Sequence, residues 1–309
     1  MFSILIPSWN NLPYLKLCVD SIRRHSAFDH EIIVHVNDGS DGTLEWVRSE
    51  GILHTWSTGN VGVCLALNDV ARLATRDWIL FLNDDMFCTP GWDLAFDTSL
   101  RGLGHSCAYL SSALIEPTGS ANVIVANFGT GPENFDEAGL LAYSAGMKSA
   151  DLDGVALQPM LISRQLWHAV GGYSIEFGPG MSSDNDLLMK LWLVGCRVFR
   201  SVGESRIYHF GCKSTGRIRR NRGGREFLMK WGISQRDFDR EYIQRTASAA
   251  PGSLPNVPRA PFKSRVKRVL YALGRYPFED LEGWEPDLPA KLTFVRPFGK
   301  QADDEADGH

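Results

Sequence analysis

The chain has 309 residues, a formal net charge of -4 at pH 7, and 44% hydrophobic against 22% charged residues. That is the balance of a globular protein long enough to bury a substantial core. The charge gives no ground for general nucleic-acid binding, and no apolar run reaches membrane-spanning length. Six cysteines (Cys18, Cys64, Cys88, Cys107, Cys196 and Cys212) are scattered without a Cys-x-x-Cys pair, and read as reduced core residues. With Met1–Pro7 entering an apolar strand at once, without a basic leader, the expected compartment is the cytosol.

In chain order, Phe2–Ile6 reads as a strand closed by Pro7. Asn10 or Asn11 can cap the helix that follows, whose Leu12, Leu15, Val19 and Ile22 share one face. Glu31–Val36 is a second strand, and Asn37-Asp38-Gly39-Ser40-Asp41-Gly42 turns tightly into a short helix over Thr43–Ser49. Ile52–Trp56 is a third strand, Val61–Leu73 a helix, and Trp78–Leu82 a fully apolar strand that stops at Asn83-Asp84-Asp85. This alternation predicts a largely parallel sheet, with helices on it and one polar rim at the strand tips. Ligands of open α/β sheets collect at that rim. Carboxylates delivered there suit a hard cation such as Mg²⁺, which takes one or two protein carboxylates and completes its shell with phosphate and water. The same triplet also makes a turn by its own hydrogen bonding, so both readings stand.

Beyond Asp85 a short helix is expected over Gly91–Leu100 and a strand over Ala108–Ile115. Glu116–Ala150, rich in Gly, Asn, Asp and Ser, reads as a long excursion or flap. Leu157–Ser163 returns as a strand, Arg164–Val170 as a helix ending at Gly171-Gly172, and Asp184–Val194 as an amphipathic helix ended by Gly195. Arg197–Val202 and Arg206–Phe210 read as two further strands. A basic cluster, Arg217–Arg225, precedes a helix over Glu226–Trp231. Ala247–Pro261, with four prolines, reads as a linker. Phe262–Leu273 forms a basic amphipathic helix, and Gln301–His309 an acidic, disordered tail.

Several stretches carry a shared pattern in a fixed order. They are Ile4-Leu5-Ile6-Pro7-Ser8-Trp9-Asn10; Asp38-Gly39-Ser40-Asp41-Gly42; Asn60, Gly62, Ala66 and Asn68 at Asn-x-Gly-x-x-x-Ala-x-Asn spacing; and Asn83-Asp84-Asp85. Downstream come Gly171-Gly172-Tyr173, Ser183-Asp184-Asn185-Asp186-Leu187, and Tyr208-His209-Phe210-Gly211 with Ser214. Together they resemble the family-two inverting glycosyltransferases of the GT-A fold, from Met1 to about Arg220. Asn83 stands where the family commonly has Asp, and Ser183 where it commonly has Glu.

The resemblance implies an α/β GT-A fold: a Rossmann-like, mostly parallel central sheet flanked by helices, a mixed acceptor-side region, and a C-terminal helical extension. The expected division is a glycosyltransferase domain over 1–225 and an extension over 226–309. It further implies a nucleoside-diphosphate-sugar donor, a saccharide or lipid-linked hydroxyl acceptor, and Mn²⁺ or Mg²⁺ on the diphosphate. Asp85 and His209 are the implied metal ligands, and Asp184 the general base. Pro7, Ser8, Asn10, Asp38, Gly62, Asn68, Asn83 and Asp84 would serve the donor nucleotide, and Ser183, Asp186, Trp192 and Arg217 the acceptor or its support.

Each assignment has a plainer counterpart. Asp38 can be a turn residue, Ser183 or Asp184 a helix cap, Asp186 a first-turn acid that complements the helix dipole, and the arginine cluster a solvated loop. A carboxylate at a helix start is stabilised by the macrodipole, so partial burial or Asp186 would have to raise Asp184 for it to serve as a base. The 262–273 helix suits either peripheral contact with an anionic membrane, at the inner face of which the protein would then sit, or docking on the domain. Two other classes compete. A sugar-phosphate nucleotidyltransferase wants an early Gly-rich basic loop, and Pro7–Asn11 has neither Gly nor Lys. A non-catalytic nucleotide-sugar-binding module would not need Asp85, Asp184 and His209 together.

Overall fold

The computed structural model describes residues 1–119, 122–211, 217, 222–243 and 261–274. Its first half alternates as expected: β1 (Ser3–Trp9), α1 (Leu12–His25), β2 (Glu31–Asn37), α2 (Thr43–Ser49), β3 (Leu53–Ser57), α3 (Gly62–Ala71) and β4 (Trp78–Phe81). These strands pair in parallel in the order β3-β2-β1-β4. Next come β5 (Met86–Cys88), α4 (Trp92–Leu103), β6 (Ala108–Glu116), β7 (Ile124–Val125), α5 (Glu137–Gly146) and β8 (Leu152–Asp153). They are followed by β9 (Met160–Ser163), α6 (Arg164–Val170), α7 (Ser183–Leu193), β10 (Val198–His209), α8 (Gly223–Trp231), α9 (Gln235–Phe238) and α10 (Phe262–Ala272). The sheet continues from β4 as β9-β6-β10-β5. In this mixed half β9 runs antiparallel between β4 and β6, and β5 antiparallel to β10.

Both faces of the sheet are covered, which is why its central strands are apolar without alternation. Leu5, Ile33, Ile79 and Phe81 pack one way against α3, α6, α7 and α8. Their strand neighbours Ile4, Ile6, Val34 and Leu80 point the other way, against α1, α2 and α4, as the two-residue period of a strand requires. Residues after 225 share the first core: Phe227, Ile233, Phe238, Tyr242 and Ile243 are buried in it. Among the described residues no helix is long and apolar enough to cross a membrane.

Four sequence expectations are corrected. Pro7 does not close β1; the strand runs on to Trp9, and past Leu5 it pairs with β2 alone. A missing N–H is tolerated on such a free edge. Asn11 holds the N-cap position of α1 as expected but its side chain makes no cap bond; Leu12 N donates instead to Asp41 Oδ2 at 2.9 Å. The 116–150 stretch is not a flap, because α5 starts on an Asp136 side-chain cap and buries Leu140 beside Phe87, Ile115, Tyr208 and Phe210. Finally, Arg197–Val202 and Arg206–Phe210 are one strand, β10, with its register against β6 shifted between Val202 and Arg206. Ser214, residues 218–221 of the Arg217–Arg225 cluster, the proline-rich linker up to residue 260 and the acidic tail lie outside the described residues.

Candidate active site

The strand tips converge on one cleft of about 420 Å³, lined among others by Pro7, Ser8, Asn37, Gly62, Asn83, Asp84, Asp85, Glu116, Gln158, Ser183, Asp184 and His209. One wall is built by the β4–β5 turn. Leu82 N still donates to Leu5 O at 3.1 Å, after which the chain leaves the sheet and presents Asp84 and Asp85. Strand β5 then returns along β10 with Met86 opposite His209, so the preceding Asp85 lies beside the imidazole. His209 Nε2 is 3.3 Å from Asp85 Oδ1, and His209 Nδ1 is 2.7 Å from Glu116 Oε1. Each ring nitrogen thus has a carboxylate beside it, and a proton held on Nδ1 by Glu116 would leave Nε2 free to ligate a cation.

Asp84 is the electrostatically expensive member of this wall. Ser8 Oγ donates to its Oδ2 at 2.7 Å, yet burial and then the charge of Asp85 push its carboxyl up to about 7. Desolvation and a like charge both disfavour the ionised form.

The facing wall is the start of α7 and the loop before it. Ser183 Oγ donates to Gly180 O at 2.6 Å, and the loop docks on α3 where Val63 N donates to Pro179 O at 2.9 Å. Gly62 makes that approach possible: its φ is +77°, and a Cβ there would stand 2.8 Å from Pro179 Cα. Asp184 looks into the cleft. The fully buried Tyr173 donates its O–H to Asp184 Oδ1 at 2.7 Å, and Gln158 Nε2 donates to the same oxygen at 3.2 Å. The residue reaches solvent through the cleft mouth, while the surrounding protein desolvates its carboxyl and raises its pKa against those two bonds. Desolvation by the surrounding protein, not Asp186, is therefore what works against the helix-start effect, although the residue is exposed at the cleft mouth.

The remaining sequence candidates fall into two groups. Asn10 and Asp38 sit at the rim beside the cleft, both with left-handed backbones (φ 46° and 64°). Asn10 Nδ2 donates to Asp38 Oδ2 at 2.7 Å and its Oδ1 accepts from Gly39 N at 2.9 Å, tying the tips of β1 and β2 together. Arg217 joins them, donating to Trp9 O at 2.6 Å with its guanidinium 4.6 Å from the Trp9 ring centre.

Asn68, Asp186 and Trp192 are not part of the cleft lining. Asn68 clips Tyr173 in place, donating to its carbonyl at 2.7 Å and accepting from its N–H at 2.9 Å. Asp186 is fully buried, 2.8 Å from Lys230 Nζ and bonded by Trp231 Nε1 at 2.9 Å. Trp192 is a core ring stacked on Phe199, with the Arg197 guanidinium 3.9 Å from its centre. Neither expected cap of α7 operates, because Ser182 holds the N-cap position.

Three contributors went unrecognised in the sequence. Glu116 ends β6, so the strand-tip rule that found Asp85 reaches it too. Tyr173 lies within a recognised segment, but nothing marked its hydroxyl, and Gln158 carries no sequence signal at all.

Asp85 and His209 are spaced as two neighbouring ligands of a divalent cation would be. Adjacent ligand atoms around an octahedral ion with ligands at about 2.1 Å lie about 3 Å apart, close to the 3.3 Å between Asp85 Oδ1 and His209 Nε2. The oxygen and imidazole donors suit Mn²⁺ and Mg²⁺, and a cation bound beside Asp84 would favour the ionised form that burial and Asp85 otherwise disfavour. Among the described residues no group of three or more His, Cys, Asp or Glu side chains is placed to hold a metal ion. A cation held here would therefore take its other ligands from water or phosphate.

Residues 3–116 match the family model described as Glycosyl transferase family 2. The chain is 26% identical over 201 residues to a chondroitin synthase of Pasteurella multocida (strain Pm70), a match over 63% of this chain and 19% of that protein. It is 35% identical over 91 residues to a PGL/p-HBAD biosynthesis glycosyltransferase of Mycobacterium bovis (strain BCG / Pasteur 1173P2), over 28% of this chain and 35% of that protein. Both matches thus span a minor part of the relative. Among solved structures, S. aureus TarS 1-349 superposes with a TM-score of 0.52 at 14% identity, over 75% of this chain and 66% of that one. That likeness concerns the fold, which is GT-A.

Proposed function

We propose that this chain, whose residues 3–116 are a glycosyl transferase family 2 domain, is an inverting glycosyltransferase. It would move a sugar from a nucleoside-diphosphate donor to the hydroxyl of a saccharide or lipid-linked acceptor. The observation that carries the reading is one cleft with two unlike walls. Asp84, Asp85 and His209 gather on one, and the desolvated Asp184 looks across from the other. The relatives named for chondroitin synthesis and for PGL/p-HBAD biosynthesis favour a glycan or glycolipid acceptor.

Asp85 and His209 would hold Mn²⁺ or Mg²⁺, with Glu116 fixing the imidazole tautomer. Bound there, the cation stabilises the negative charge that gathers on the departing diphosphate. Asp38, with Asn10 and Gly39, would receive the nucleotide's base, and Ser8 and Arg217 lie beside the path toward the phosphates. On the acceptor side, Tyr173 and Gln158 both engage Oδ1 of Asp184, so Oδ2 is the oxygen available to the acceptor hydroxyl. As the hydroxyl oxygen bonds the anomeric carbon, its proton passes to Asp184. The bond from that carbon to the β-phosphate oxygen breaks with both its electrons leaving on the nucleoside diphosphate. Attack opposite to departure inverts the anomeric centre. The raised pKa of Asp184 suits a base working near neutrality.

Nucleoside diphosphate release from a panel of nucleotide sugars, with and without Mn²⁺, tests the reading. Asp184→Asn should lose about 10²–10⁴-fold in rate, and Asp85→Ala should abolish the response to Mn²⁺. Metal-independent turnover that survives Asp85→Ala, or full activity in Asp184→Asn, would overturn it.

A further inference from the structure

Helix α10 rests on the domain by one narrow polar side. Ser264 is buried, its Oγ donates to Asp237 Oδ2 at 2.8 Å, and it accepts from Ser234 N at 3.4 Å. One helical repeat further on, Tyr271 lies under the Arg225 guanidinium, 5.6 Å from its ring centre. At about 100° per residue, Ser264 and Tyr271 point within about 20° of each other.

Phe262, Val266, Val269 and Leu273 fall within an arc of about 60° on the opposite side of the helix. They are 80%, 41%, 57% and 61% exposed. An amphipathic helix docked on a domain ordinarily turns its apolar stripe inward; this one turns it outward. Lys263 borders the stripe on one side and Arg265 on the other, Lys267 and Arg268 follow further round, and no acid occurs between Phe262 and Leu273.

We infer that α10 is an interfacial helix that seats the protein on an anionic lipid bilayer. Four apolar side chains would enter the acyl boundary, while the basic borders meet acidic headgroups. Charge selects this occupant over a second copy of the chain. Two such helices face to face would set basic border against basic border, whereas self-associating helices place opposite charges beside the apolar seam. At 11 residues the helix is about 16 Å long, too short to span a bilayer, so it lies in the membrane plane. The inference does not depend on the transfer reaction.

The full chain is sedimented with phosphatidylcholine vesicles containing or lacking phosphatidylglycerol. Binding to the anionic vesicles alone, weakened by high salt, is expected. Val269→Glu combined with Phe262→Ser should reduce the bound fraction at least about tenfold, and Lys263→Glu with Arg265→Glu should do likewise. All four side chains are exposed, so far-ultraviolet circular dichroism and the melting temperature should stay at wild-type values, which separates lost binding from lost fold. Vesicle binding unchanged by both double variants overturns the inference. So does the absence of vesicle binding together with a dimer, seen by light scattering, that Val269→Glu dissociates; the stripe would then be a seam between copies.

Discussion

Removing a single hydroxyl, Tyr173→Phe, tests whether Asp184 works as a tuned base. The phenol donates to Asp184 Oδ1 at 2.7 Å, the shorter of that oxygen's two side-chain bonds. The bond favours the ionised carboxyl, while burial disfavours it and raises its pKa overall. A hydrogen bond to a charged group contributes about 1.5–3 kcal/mol, so its loss should cut the ionised fraction on the acid limb by roughly ten- to a hundredfold. The sign is fixed: the variant carboxyl needs a higher pH to ionise, so the acid limb of the rate profile moves to higher pH. The plateau above it stays near the wild-type rate. Initial rates of nucleoside diphosphate release across pH measure the limb, and ¹³C NMR titration of the labelled carboxyl measures the same event without turnover. A limb that stays put or moves to lower pH would refute the reasoning. So would a lowered plateau with an unchanged titration, which would make Tyr173 purely structural.

Other expectations concern the cation and the packing beneath the site. Asp84 is held up to about 7, above its unfolded value, so its contribution to stability falls as pH rises through that range. Millimolar Mn²⁺ should therefore raise the melting temperature more at about pH 8 than at about pH 6, and not at all in Asp85→Ala; a pH-independent shift would contradict this. Glu116→Gln should weaken Mn²⁺ binding about 10–100-fold by calorimetry, through loss of the charge that orients His209; unchanged affinity would remove Glu116 from the site. Asp186→Asn leaves Lys230 and Lys190 without their buried carboxylate. Urea unfolding should then show a loss of about 3 kcal/mol, at the low end for a broken buried pair because Lys230 is 29% exposed. A loss under about 1 kcal/mol would mean that water replaces the carboxylate.

The parallel half of the sheet was legible because its information is local. Each apolar run is followed by a polar tip and a helix, and Asn37, Asp84 and Asp85 fall at the ends of such runs. The mixed half depends on pairings distant in sequence. Nothing within Met160–Ser163 announces that it will lie antiparallel between β4 and β6. The small residues of α5 look like loop, although Leu140 is enough to anchor it. Gly203-Glu204-Ser205 looks like a turn between two strands, yet the segments on either side pair with the same neighbour. Within the site, motif position implied Asp184 as the base and Asp186 as an acceptor contact or support, and Asp184 faces the cleft while Asp186 is buried away from it. Two residues apart on a helix point about 200° away from each other, so when one faced the cleft the other had to face the core.

The contact between Gly62 and Pro179 also works as a gauge. One end of it belongs to α3, the other to the loop that leads into α7, and they meet backbone to backbone. The gap a substrate must fit is thus fixed by two main chains rather than by side chains that can turn aside. Even a methyl group on residue 62 would have to push the walls apart or twist the turn. Misplacement of about 1 Å can cost a transfer reaction about a hundredfold in rate. The residue with the least chemistry in the cleft therefore sets the working distance for those with the most.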